Sequence, residues 1–251
     1  MFDSHCHPTD IDDPELVVRS ASAAGVHSLL ACGYNHQSNQ AVIELRQRLP
    51  GLPISIGIHP WFADESTEHL SDLITKQNPI AVGECGLDGT EELSIPSIPI
   101  QRRTFEIQLD IARQLQLPVT VHSRRSAAQV LDIITNFGAV RGVMHAFGGS
   151  YEQAKSFVER GWLIGIGGAV TRPNARRVHR LARELPIEGV ALETDAPAIG
   201  LHDVNPPDVR PAHLPIIAAA LAAVRGIEVQ ELVEATNENV RRLFGSQALP
   251  Y

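Results

Sequence analysis

Met1-Phe2-Asp3-Ser4-His5-Cys6-His7-Pro8 opens the chain. The apolar start reads as a first β-strand whose tail is Asp3 to Pro8. Side chains in a strand alternate between faces, so His5 and His7 share one side and Cys6 takes the other. Two imidazoles on one face of a stiff backbone form a chelating pair that no hydrophobic core requires. The same residues also fit a strand giving way to a solvated loop, and the rest of the chain decides between the two.

Working outward, a simple rhythm repeats. Strands are expected over 26–32, 54–58, 80–84, 118–122, 142–146, 162–167 and 189–193. Helices are expected between them over 14–24, 37–49, 67–77, 100–116, 126–137, 150–160 and 174–185. Pro14 suits a first helical turn, and Gly25, Gly138 and Gly161 mark helix ends. In the fourth helix Phe105, Leu109, Ala112 and Leu115 form one apolar stripe. Residues 85–99, with Gly86, Gly89 and two prolines, read as the longest connection. A Pro-rich loop with Pro206, Pro207, Pro211 and Pro215 leads to two closing helices, 214–224 and 229–244. The strands are near-continuous apolar runs, as in a parallel sheet covered on its outer face. Eight such units close most economically into a single (β/α)₈ TIM-type barrel over 1–251, with one extra C-terminal helix. A doubly wound open sheet is the competitor, and no G-x-G-x-x-G follows the first strand to favour it.

The composition, 43% hydrophobic and 20% charged, fits a globular chain with a substantial core. A formal net charge of -8 argues against gripping nucleic acid through a broad basic surface. It leaves a nuclease open, because divalent ions place positive charge where a scissile phosphate lies. Lys76 and Lys155 are the only lysines, and the other basic residues are arginines. Cys6, Cys32 and Cys85 fit no disulfide framework and no Cys-x-x-Cys site, so reduced thiols and a cytoplasmic location are expected. No stretch is long enough for a membrane span, and no signal peptide precedes the first strand.

Active sites of βα barrels lie at the C-terminal strand ends. His5 and His7 end strand one, His59 strand three, Glu84 strand four, His122 strand five, His145 strand six and Asp195 strand eight. Four imidazoles and two carboxylates, with His59 set aside, exceed what one tetrahedral ion needs. They suit two divalent ions roughly 3.5–4 Å apart. In a closed barrel strands one and eight are neighbours, as are five and six. His5, His7 and Asp195 are therefore expected on one ion, His122 and His145 on the other, and Glu84 between them, its charge offsetting the repulsion of the cations.

His-Cys-His, Gly-Ile-His-Pro at 57–60, Gly-Glu-Cys-Gly-Leu-Asp at 83–88, Val-His-Ser-Arg at 121–124, His-Ala-Phe-Gly-Gly at 145–149 and Glu-Thr-Asp-Ala-Pro at 193–197 follow in this order. This series resembles the TatD family of metal-dependent deoxyribonucleases, a branch of the amidohydrolase-like barrels. The likeness spans essentially the whole chain and ends in a closing helix at 239–245. It implies a hydrolase of DNA phosphodiesters, more often an exonuclease than an endonuclease, with zinc, manganese or magnesium as its ions. By motif the metal ligands fall on His5, His7, Glu84, His122, His145 and Asp195. The implied partner is DNA, single-stranded or at ends, with no membrane and no obligate protein partner. Where members of the family often carry an aromatic residue, this chain has Gly89 followed by Thr90-Glu91-Glu92, which removes a stacking surface and adds negative charge near the mouth.

Asp195 is the expected proton acceptor for the attacking water, and Glu84 and His59 complete the catalytic set. His59 either hydrogen-bonds the phosphate or leaving oxygen, or orients a ligand. Asp88 and Glu193 are expected to position ligand imidazoles. Arg124 holds a phosphate oxygen or pairs with Glu193. Arg172, Arg176, Arg180 and Arg183 form either a DNA-backbone stripe or a solvated face with acidic partners, and Arg172 is the best placed for substrate. His27, His36, His69, His179, His202 and His213 are read as structural or surface residues, and Cys6 and Cys85 as pointing away from the site. The alternatives are a barrel amidohydrolase cutting an amide, lactone or aminoacyl ester, and an inactive binding module. Many of the former bridge their ions with a carbamylated lysine, and neither lysine here lies on a strand.

Overall fold

The computed structural model describes residues 1–92 and 94–248. Leu93, inside the expected long connection, and the last three positions of the expected 1–251 domain lie outside the described residues. Eight parallel strands form one sheet in sequence order: β1 Phe2–Cys6, β2 Ser28–Cys32, β3 Ile54–Ile56, β4 Ala81–Asp88, β5 Val119–Arg124, β6 Gly142–Met144, β7 Leu163–Ile166 and β8 Val190–Leu192. The helices between them are α1 Pro14–Ala23, α2 His36–Arg48, α3 Leu70–Gln77, α4 Ile98–Leu115, α5 Ala127–Phe137, α6 Tyr151–Val158 and α7 Arg176–Glu184. Then come α8 Leu214–Arg225 and the additional α9 Val229–Phe244. The expected TIM-type barrel is the fold.

Local chemistry sets the boundaries. The Asp13 carboxylate accepts from Leu16 N and caps α1, with Pro14 in its first turn. Asn35 with Ser38 and Ser150 with Gln153 form reciprocal caps on α2 and α6. Asn78 and Gln116 end α3 and α4 in left-handed conformations.

The sheet closes on itself beyond β8. Asp195 N donates to His5 O at 2.9 Å and His7 N to Ala196 O at 2.7 Å. The Asp3 carboxylate accepts from the amide and hydroxyl of Thr194. Asp3, wholly buried, is pushed up to about 7 by burial, against its bonds to Thr194. These bonds set β1 beside the segment carrying Asp195, so His5, His7 and Asp195 meet from opposite ends of the chain.

One expectation fails. Residues 85–88 are not loop but the second half of β4, pairing Cys85, Gly86, Leu87 and Asp88 with Val121, His122, Ser123 and Arg124. Gly86 misleads the sequence reading. Its φ is +136°, and a Cβ there would lie 2.1 Å from His122 O. It is glycine because β4 presses against β5, not because the chain turns.

Most of the core lies between barrel and helices, where Ile54, Ile56, Val82, Val121 and Ile164 meet Phe105, Leu109 and Ala112 of α4 among others. A second cluster gathers Phe2, Leu30, Ala81, Val143, Leu163 and Ala191 with Val240 and Phe244 of α9. Phe2 and Phe244 lie 6.1 Å apart by ring centroids. Asn239 Nδ2 donates to Ile187 O and Val190 O. Thus α9 is fastened to the start of β8 and covers the end of the barrel opposite the strand C-termini. No helix among the described residues is long and apolar enough to cross a membrane.

Candidate metal centre

Strand ends bring His5, His7, Glu84, His122, His145 and Asp195 into one buried group. His5 Nε2 lies 3.2 Å from His7 Nε2. Glu84 stands between two sets of nitrogens. Its Oε2 is 3.4 Å from both His5 Nε2 and His7 Nε2. Its Oε1 is 2.8 Å from His145 Nε2, 3.3 Å from His122 Nδ1 and 3.4 Å from His59 Nε2. Asp195 Oδ1 lies 3.7 Å from His5 Nε2 and 3.5 Å from His7 Nε2. The His145 ring stacks on His5 at 3.8 Å, so it touches both halves.

What stands behind each ring decides its tautomer. His7 Nδ1 faces Cys32 O at 3.0 Å. A carbonyl only accepts, so Nδ1 carries the proton and Nε2 of the neutral ring presents a lone pair. His122 Nε2 faces Asp88 Oδ2 at 3.1 Å, so its Nδ1 likewise presents a lone pair to Glu84. Lone pairs of nitrogen therefore meet carboxylate oxygens, an arrangement that needs a cation or extra protons between them. Protons fill that role in the bare chain. Burial lowers both rings, but Asp195 and Glu84 around His7, and Asp88 and Glu84 around His122, push each up to about 9. Glu84 is held well below the carboxylate range, its burial outweighed by His145, His59 and His5. Asp195 Oδ1 is buried with no hydrogen-bond partner. The donor set of imidazoles and carboxylates, with second nitrogens pinned from behind, fits divalent ions.

His59 is built the other way. Its Nδ1 accepts from Trp61 N at 3.1 Å, so the neutral ring carries its proton on Nε2, aimed at Glu84 Oε1. Burial drives it down to about 3, which keeps it neutral.

Asp88 buttresses His122, as expected, and also accepts from Trp61 Nε1 at 2.8 Å. Glu193 does something else. It accepts from Ala146 N, holding the residue after His145 at a left-handed φ of +43°. Burial raises its pKa well above the carboxylate range. It makes no pair with Arg124, which is exposed at the mouth. Arg172 donates to Gly200 O and does not line the cleft, whereas Arg125 and Arg177 do. Arg180 pairs with Glu152 and Glu184, the solvated-face alternative. Glu91 and Glu92 lie outside the lining. Cys6 and Cys85 are buried with their thiols toward Leu30 O and Thr120 O. Cys32 and Thr120, both against His5 Nδ1, were not anticipated, although each lies on a strand ending at the centre.

The centre opens into a cleft of about 1150 Å³. A family model described as "TatD related DNase" matches residues 2–245. The chain belongs to the TatD-related DNase family. The 3'-5' ssDNA/RNA exonuclease TatD of Citrobacter rodentium is 35% identical over 265 residues, covering 98% of each chain. A protein described as the uncharacterized metal-dependent hydrolase YabD of Bacillus subtilis is 28% identical, covering 97% of this chain and 98% of its own. The crystal structure of YjjV, a TatD homolog from Escherichia coli K12, superposes with a TM-score of 0.89 at 28% identity, covering 97% of each chain. The present TatD-family chain is accordingly a metal-dependent hydrolase of ester bonds, and by the spacing of their donor atoms three groups could hold a divalent ion: His5 with His7 and Glu84, His5 with His145 and Asp195, and His59 with Glu84 and His122.

Proposed function

We propose that this TatD-family hydrolase binds two divalent ions and removes nucleotides from an end of single-stranded DNA. The observation that carries the reading is Glu84, whose two oxygens address two separate sets of imidazoles. His5, His7 and Asp195 would hold one ion, and His122 and His145 the other, with Glu84 shared. The imidazole-rich set favours zinc or manganese over magnesium. Bound there, the ions would supply a water of lowered pKa and offset charge growing on the phosphoryl oxygens.

The chain's own groups do the rest. Asp195, kept ionised because His7 and neighbouring imidazoles outweigh its burial, accepts the proton of the attacking water. His59 donates its Nε2–H to a phosphoryl or leaving oxygen and stays neutral throughout. Arg124, exposed at the mouth, contacts a flanking phosphate, and Arg172 remains with Gly200. The barrel alternative cutting amides or lactones is less well supported. Neither Lys76 in α3 nor Lys155 in α6 can bridge ions, and the exonuclease name of the Citrobacter rodentium relative points to phosphodiesters. Three buried cysteines without disulfides agree with a cytoplasmic location.

Metal analysis and nuclease assays on the wild type and Glu84→Ala test the reading. Two ions per chain and at least about a hundredfold loss of cleavage in the variant are expected. Cleavage retained in full by Glu84→Ala rejects it.

A further inference from the structure

The cleft is not symmetric about its metal centre. On the β1–β3 side it is lined by Tyr34, Trp61, Phe62 and Asp10. Trp61 is 45% exposed, a large apolar ring left open to solvent. It is nonetheless fixed: its Nε1 is held by Asp88 and its ring packs edge-on to His59 at 5.0 Å. Tyr34 lies 5.8 Å from Phe62 and 5.3 Å from His7, and its hydroxyl donates to Asp10 Oδ1 at 3.2 Å. Rigid, half-open rings beside a carboxylate suit an uncharged base and a hydroxyl that can donate to Asp10. A phosphate there would meet like charge.

The β5–β7 side is the reverse. Arg124, Arg125 and Arg177 line it, together with Ser126 and Ser150 at the starts of α5 and α6. Arg177 is aimed by a bond to Gly148 O at 3.0 Å. The arginines that form ion pairs are Arg19, Arg48, Arg102, Arg113, Arg180 and Arg241. Among the described residues Arg124, Arg125 and Arg177 form none. In a chain of net charge -8, three arginines gathered on one wall of the cleft, with no acidic residue beside them in its lining, suit polyanion backbone.

Resting on the nuclease reading, and on the 3'-5' polarity named for the Citrobacter rodentium relative, we propose that Trp61, with Tyr34 and Asp10, seats the 3'-terminal nucleoside of the strand with its hydroxyl unblocked. In the same seating Arg124, Arg125 and Arg177 carry the phosphates of the remaining strand. The two walls thus place the last phosphodiester over the centre and bias the enzyme to hydroxyl-ended strands with an unpaired terminal base.

Binding and kinetics test this together. Trp162 is buried in the core at 1% exposure, so a change in tryptophan emission on binding reports Trp61. A phosphorothioate-linked oligothymidylate is expected to quench that emission, and the same strand with an abasic 3' nucleotide is not. In turnover, Trp61→Ala and the abasic end each raise KM roughly 5- to 100-fold, the scale of one lost base stack. Combined, they add little to either alone, and Trp61→Phe recovers most of the loss. Arg124→Ala and Arg177→Ala each lower the salt slope of strand binding by about 0.7. A 3'-phosphate slows the wild type, and Asp10→Asn narrows that gap. Equal KM for natural and abasic ends, or equal rates on hydroxyl and phosphate ends, overturns the seating while leaving the nuclease reading intact. A wild type that cuts no oligonucleotide with metal supplied removes both.

Discussion

Asp88→Asn separates the two halves of the centre. Asp88 Oδ2 accepts from His122 Nε2 at 3.1 Å and from Trp61 Nε1 at 2.8 Å. Both neighbours are donors, and the charge that draws them is held well below the usual carboxylate range. Both bonds share that one oxygen while Thr90 N donates to the other, Oδ1, at 2.9 Å, so asparagine keeps its single oxygen on His122 and Trp61 only by setting an amide N–H against Thr90 N, and it carries no charge in either orientation. His122 then loses the anion that keeps its proton on Nε2, and its Nδ1 no longer presents a fixed lone pair to Glu84. Removing such a buttress costs about 10–100-fold in metal affinity, or about 1.4–2.7 kcal/mol. The His5–His7 side lacks this partner and keeps its affinity, because Cys32 O orients His7. The variant should fold, since Gln101 clamps the main chain of residue 88 through its amide and carbonyl. Calorimetric titration of metal-stripped protein with zinc or manganese reads the outcome as one weakened site beside one unchanged. Two sites weakened equally, or neither, would refute the tautomer argument.

Three further outcomes are expected. In metal-free protein His7 and His122 stay protonated up to about pH 9, so binding must displace those protons. Apparent affinity should therefore rise about tenfold per pH unit for each proton released, levelling above about pH 9, as a chelator-competition series would show. A flat profile between roughly pH 6.5 and 8.5 would contradict this. Burial favours the neutral form of Glu193, which glutamine imitates, so Glu193→Gln should cost under about 1 kcal/mol, whereas Glu193→Ala strands the Ala146 amide and costs about 1–3 kcal/mol in denaturant unfolding. Asn239→Ala deprives two carbonyls of their donor and should cost about 1–3 kcal/mol, seen as a lower Tm, without changing metal content.

The barrel was legible because its signals are local. Apolar runs alternate with capped amphipathic segments, and Pro14, Gly25 and Gly138 sit where helix chemistry needs them. The grouping of the histidines was legible for a related reason: parallel strands share one direction, so every strand end falls on one rim. The Cys85–Asp88 half of β4 was not legible. Glycine at 86 reads as a turn unless the neighbouring His122 carbonyl is known to occupy the space of its side chain. Of the two alternatives for Arg124, the pair with Glu193 does not form. Arg124 and Glu193 each end a strand segment, yet Glu193 is turned into the barrel wall against Gly165 while Arg124 faces solvent.

The same limit applies to the histidines and explains what the structure adds. His7, His59 and His122 all lie at or near the C-terminal ends of strands, all approach Glu84 within 3.3–3.4 Å, and cannot be ranked by position. They differ in the atom behind the ring. A carbonyl behind His7 and a carboxylate behind His122 pull the proton outward and leave a lone pair facing in. An amide N–H behind His59 does the opposite and leaves a proton facing in. The first kind of ring can hold a cation and the second can donate to an oxyanion. A substrate that brings negative charge to a cationic centre needs both, and one backbone amide, that of Trp61, separates the two roles.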